Sequence, residues 1–209
     1  MAPPTKHPTD RILDAARTLA LTSGPRAVRV AAIADASGAP AGTLYHRFGS
    51  RDGILRAAWL RALEGFQARW LEAARDPDPL EAAVAMATSV VAFARASPDD
   101  ARLLLTLRPQ DLLDADPDVE FRELQRAMNA PLESELRRVA RALHGRADAR
   151  ALDAVVRATV DLPYGAVRRH AHKATMPRWL ERDIADAARH LLTAPRTQPR
   201  APSPEQPGR

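Results

Sequence analysis

Residues 30–56 read VAAIADASGAPAGTLYHRFGSRDGILR, and their reading decides the fold. Two short segments with helical spacing of apolar residues flank a break at Ser37-Gly38-Ala39-Pro40. Gly38 permits the backbone reversal. Pro40 suits the first turn of the next helix, where its missing N–H is harmless. A polar and aromatic run follows, Gly42-Thr43-Leu44-Tyr45-His46-Arg47-Phe48, and Gly49-Ser50-Arg51-Asp52 starts a further helix with Ser50 as cap. Helix, tight glycine-containing turn, helix is the pattern of a helix-turn-helix.

The residues of the second short helix, roughly 41–47, can be laid out at about 100° per residue. With Leu44 facing a core, Phe48 falls on the same side. Gly42 and His46 then point outward, and Thr43 and Tyr45 flank them. One side of a two-turn helix therefore carries a small residue, a hydroxyl, a phenol and an imidazole.

The flanking chain supports this unit. A helix is expected from Thr9-Asp10, with Ile12, Ala16, Leu19 and Ala20 on one face and a stop at Ser23-Gly24-Pro25. A long helix from Ser50 to about Arg75 carries Ile54, Leu55, Ala58, Trp59, Ala62, Leu63, Phe66 and Trp70. Asp76-Pro77-Asp78-Pro79 breaks the chain there. Residues 80–96 are apolar nearly all round and read as a central buried helix. Further helices are expected from Ser97 to about Leu107, from Asp116-Pro117 to about Leu143 with a bend at Pro131, from about Ala149 to His172, and near 177–193. Pro163 and Gly165 must kink or interrupt the eighth of these nine helices.

The 209 residues hold 45% apolar side chains, 4% aromatics, no cysteine and a net charge of +5. The many alanines favour helices, and no segment alternates like a strand. The missing cysteines exclude disulfides and thiolate metal sites and suit a reducing cytoplasm. No uninterrupted apolar stretch reads as long enough to span a bilayer, and the N-terminus lacks a signal-peptide core. Charge is uneven. Residues 1–56 hold eight Lys/Arg against four Asp, so the excess sits on the N-terminal module, as a polyanion partner requires.

The N-terminal third resembles the TetR-type (tetracycline-repressor-like) transcriptional regulators. The matching residues are Arg11-Ile12-Leu13-Asp14-Ala15-Ala16, Ile33-Ala34, Gly38, Gly42-Thr43-Leu44-Tyr45, Phe48 and Ser50-Arg51-Asp52. The sequence departs from the family pattern at Ala39-Pro40, where a Ser cap is lost, and at Arg29, Arg47 and Arg51. Composition and resemblance together imply an all-α chain: a proline-rich flexible arm (1–8), a three-helix DNA-binding domain (9–56, with helix 4 running on to about 75), a helical regulatory and dimerisation domain of about six helices (77–193), and a proline-rich disordered tail (194–209). The resemblance implies a homodimer through helices 8 and 9, a palindrome-like double-stranded operator, and a repressor released by a small-molecule effector.

Candidate DNA contacts follow from the residues and the resemblance together. Tyr45 and Arg51 match positions that hold phosphates, with Arg29 and Arg47 as further anchors. Gly42 allows close approach to the groove, and Thr43 and His46 are candidates for base edges. Candidate effector contacts are Phe66, Trp70, Met86, Phe93, Arg102, Met128, Tyr164 and His170. Arg102 and Tyr164 would put a polar tip on an apolar wall. No metal site is expected, because His170 and His172 point apart on a helix. No cofactor motif and no catalytic constellation stands out, so an enzyme is not expected. The competing reading is an all-α small-molecule-binding or protein-interaction module without DNA-binding activity.

Overall fold

The computed structural model describes residues 9–108, 110, 119–173 and 175–194. The expected arm at 1–8, the Asp116-Pro117 helix start and the tail beyond Ala194 lie outside these residues. Every regular element among the described residues is a helix.

The first unit comprises α1 (Thr9–Ser23), a 3-10 turn (Pro25–Ala27), α2 (Val30–Ser37), α3 (Ala41–Phe48) and the start of α4 (Arg51–Ala73). Ile12, Ala16 and Ala20, four apart on α1, are buried against Val28, Ile33, Leu44, Ile54 and Leu55. The Ile, Leu and Val side chains among them gain roughly 1.5–3 kcal/mol each on full burial, which pins these short helices. The turn between α2 and α3 is closed locally. Gly38 is left-handed at φ 69°, and the buried Ser37 hydroxyl accepts from the Ala39 N–H at 3.3 Å. Pro40 sits one place earlier than expected. It caps α3 from outside, and its carbonyl accepts from the N–H groups of Thr43 (2.9 Å) and Leu44 (3.3 Å). Ser50 caps α4 as expected, accepting from Gly53 N–H at 3.0 Å.

At about 1.5 Å per residue α4 is long enough to belong to both halves. Its N-terminal residues complete the first core, and Trp70 is buried in the second. The second half contains α5 (Pro79–Ala96), α6 (Pro98–Thr106), α7 (Val119–His144), α8 (Ala149–Val156), a π-helical stretch (Arg157–Asp161), α9 (Leu162–His170) and α10 (Leu180–Thr193). Asp78 caps α5 by accepting from Leu80 (2.7 Å) and Glu81 (3.0 Å) N–H groups. By length and composition α5 is apolar enough to cross a membrane, although Glu81 and Arg95 interrupt its apolar run. It is instead the central helix of the fold, packed against α4, α6, α7, α9, α10 and the π stretch.

Three further details depart from expectation. The interruption in the eighth predicted helix precedes Pro163 and leaves Gly165 inside α9. Proline deprives the Thr159 carbonyl of its usual donor and crowds that turn, and a wider π turn relieves both. The last helix starts at Leu180, not 177. Finally, Leu103 of α6 and Phe121 of α7 join the first core, so later elements help to seat α1–α4.

Candidate nucleic-acid interface and adjoining cavities

Leu44 is fully buried, and this fixes the rotation of α3. Gly42, Tyr45 and His46 are exposed, and Thr43 and Arg47 are half-buried. Five of the seven predicted contact residues thus lie on α3 of the turn unit. Tyr45 is 54% exposed, which is unusual for a large ring and leaves its phenol available to a partner.

The two remaining arginines are placed differently. Arg29 is exposed at the entrance to α2, with Nη1 donating to the carbonyls of Arg26 (2.8 Å) and Val28 (3.1 Å). Arg51 is turned inward, with its side chain 11% exposed. Its Nε donates to the Val28 carbonyl at 3.1 Å, Nη2 to the Pro25 carbonyl, and Nη1 pairs with Asp52. In this arrangement Arg51 straps α4 to the 3-10 turn. Sequence supplied the charge but not its direction.

Gly53 was not singled out by sequence, yet it decides how α3 meets α4. A Cβ there would lie 1.9 Å from the Phe48 carbonyl oxygen. Only glycine allows the end of α3 to approach α4 this closely.

Ion pairs join this unit to the rest. Arg61 of α4 reaches Asp10 (3.0 Å) and Asp14 (2.5 Å) of α1, and Arg17 of α1 pairs with Asp100 of α6 and with Asp14 at 3.3 Å. Burial works against the Arg61 charge, but hydrogen bonds to Asp14 and Asp10 outweigh it and raise its pKa.

Behind the junction lies an apolar cavity of about 240 Å³ among α4, α5, α6, α7, the π stretch and α9. Four predicted residues line it: Phe66, Trp70, Phe93 and Tyr164. Phe66 and Phe93 meet edge to face at 5.6 Å. Two predicted residues do not reach it. Met86 is fully buried in the core, and Met128 lines none of the cavities described. Arg102 and His170 line a second cavity of about 370 Å³ next to it. Leu105, Leu132, Leu136 and Thr159 were missed as lining residues. Leu132 and Leu136 were legible only as one helix face, and a gap between helices is not written on either helix. The Thr159 hydroxyl donates to the Val155 carbonyl at 2.9 Å, so the walls offer little free polarity.

Residues 12–58 match the sequence model of the family described as "Bacterial regulatory proteins, tetR family". No curated protein matches the chain. Solved structures share the fold. A TetR family transcriptional regulator, PfmR, from Thermus thermophilus is 22% identical, with 88% of this chain and 97% of that one covered and a TM-score of 0.61. The fatty acid degradation regulator FadR from Bacillus halodurans is 18% identical over 90% of this chain and 100% of its own, with a TM-score of 0.65. FadR from Bacillus subtilis, solved in complex with stearoyl-CoA, is 15% identical over 88% and 96%, with a TM-score of 0.60.

Proposed function

We propose, from the premise that this is a TetR-family chain in its N-terminal domain and TetR-like in its fold, that it is a sequence-specific DNA-binding transcriptional regulator. The observation that carries this reading is the rotation of α3. Leu44 is sealed inside while Gly42, Thr43, Tyr45 and His46 sit at the outer surface. Tyr45 and Arg47 are the phosphate anchors, with Arg29 beside them, and Thr43 and His46 read base edges. Arg51 acts by holding the 3-10 turn against α4.

A helix of two turns reads only a few base pairs, so the reading includes a homodimer on a palindrome-like operator. Two recognition helices would then be spaced by one helical repeat of DNA, about 34–36 Å, or a multiple. Val160, Tyr164 and Leu191 are exposed apolar side chains on the π stretch, α9 and α10, the segments expected to pair. Repression in the cytoplasm, relieved by a small molecule in the apolar cavity, completes the proposal. Helix α6 supports that link: Ala101, Leu104 and Leu105 line the cavity, and Asp100 holds Arg17 of α1.

The test is fluorescence anisotropy with DNA from upstream of the chain's own gene. Affinity should fall steeply with salt as phosphates release counterions. Thr43→Ala should alter base preference at one position by about 1–3 kcal/mol. A chain that is monomeric by light scattering, or that binds no such fragment at low salt, sinks the reading.

A further inference from the structure

We propose that the C-terminal domain binds a single-chain amphiphile with an anionic head, its chain in the apolar cavity and its head in the adjoining cavity against Arg102, Lys173, Arg178 and His170. This rests on reading the apolar cavity as the effector site.

The two cavities stand back to back. Ala94, Ala101, Leu105 and Val167 line both, so the two cavities meet along these four side chains. Their chemistry differs sharply. Among the described residues, Tyr164 is the only titratable one lining the apolar cavity. The second cavity is lined, among the described residues, by four cationic side chains and His170, with no carboxylate on its wall.

One of those cations is already satisfied. Arg95 pairs with Glu181 and donates to the carbonyls of Pro177 (2.8 Å) and Arg178 (3.1 Å). Among the described residues, the other three have weaker pairing or none. Arg102 reaches Asp99 only at 4.0 Å, and its buried Nε has no partner among the described residues. Neither Lys173 nor Arg178 forms a salt bridge with any acid among the described residues.

His170 supplies an independent sign of a polar ligand. The residue is 8% exposed, its ring packs edge to face on Trp179 at 6.0 Å, and its buried Nδ1 has no partner among the described residues. A buried polar nitrogen left unpaired is costly, and a ligand oxygen in this cavity would satisfy it. Burial first, then the positive charges of Lys173 and Arg169, lower its pKa. The imidazole therefore offers a hydrogen bond in a field made positive by its neighbours.

An anion answers each of these features at once. Guanidinium and ammonium groups recognise carboxylate and phosphate oxygens, and uncompensated positive charge around a concavity concentrates anions. The apolar cavity is at the small end of ligand sites, which points to a chain of medium length.

The test uses the full chain and three probes with the same alkyl group: octanoate, octyl phosphate and octanol. Binding is followed by calorimetry and by the fluorescence of Trp59 and Trp70 on the cavity wall. At least one of the two anions should bind about tenfold more tightly than octanol, the scale of one charge-assisted hydrogen bond. Which of them binds more tightly identifies the head as carboxylate or phosphate. Arg102→Gln with Lys173→Gln should bring the anions to the affinity of octanol and leave octanol unchanged. Lys173→Gln alone, at an exposed position, should give part of the loss without a folding penalty. Equal binding of all three probes overturns the anionic head while the apolar effector cavity stands. So does a preference for anions that survives both substitutions. If none of the three binds, both readings fail.

Discussion

Gly53 and Gly65 lie on the same helix, α4, on either side of the junction between the two halves of the chain. A methyl at Gly53 would strike the Phe48 carbonyl oxygen at 1.9 Å, whereas at Gly65 the nearest atom is a Phe93 ring carbon at 3.8 Å. The first half is closed by backbone against backbone. None of the cavities described above is lined by α1–α3, and the candidate contact residues of this half lie on the outside. The second half keeps space between side chains, and six of its eight candidate residues line that space. One helix serves both needs because its first turns pack on α1–α3 and its last turns form a cavity wall.

The hardest test of this contrast compares two leucines. Leu44→Ala should cost about 4 kcal/mol, because a fully packed site cannot collapse around the void. Leu136→Ala should cost about 2 kcal/mol, since one side of that leucine already faces a cavity and has fewer contacts to lose. Denaturant unfolding of both variants checks this, and equal losses would break the distinction. Gly53→Ala comes next, at about 3 kcal/mol, because the clash is with backbone that cannot rotate away. Thermal melting should show it, together with loss of DNA affinity.

How far the two halves were legible in the sequence follows from the same contrast. The turn unit is punctuated by Gly24, Gly38 and Pro40, and Leu44 sets the rotation of α3, so its outer face could be drawn from periodicity alone. Arg51 could not. A long side chain can reach outward or fold back, and the carbonyls that hold it belong to residues more than twenty positions earlier. In the second half, helix positions were readable from apolar spacing, but cavity membership was not. Met86 and Phe93 lie on the same buried helix, yet only Phe93 meets a gap, because gaps depend on how several helices pack together. Pro163 announced a break, but the wide turn fell upstream, where the carbonyl that lost its donor lies.

Two smaller effects sharpen the comparison at the junction itself. Asp100→Asn should lower stability by about 1 kcal/mol, the scale of a partly exposed ion pair. A double-mutant cycle with Arg17→Ala should recover that value as coupling between α1 and α6, and zero coupling would remove the pair from any link between the halves. Gly65→Ala should be the mildest change. It gains helix propensity of about 0.5 kcal/mol with ordinary contact to Phe93, so a slightly higher melting temperature is expected, with probe binding as the check on the cavity wall.

The π stretch at Arg157–Asp161 also keeps time along the helix. Ala151, Val155, Thr159, Pro163, Val167 and Ala171 are all buried, a beat of every fourth residue over some twenty positions. A regular helix advances about 400° in four residues, so that beat would drift by about 40° at each step and by about 200° over the run. Ala151 and Ala171 would then face opposite ways. One surplus residue wound into a wide turn takes back about 100° of that drift, the angle of a single residue. Removing one residue from the stretch would turn Tyr164 and His170 by the same angle, swinging one away from the apolar cavity and the other away from its charged neighbour. The irregular turn is therefore a phase correction, and both cavities are in register because of it.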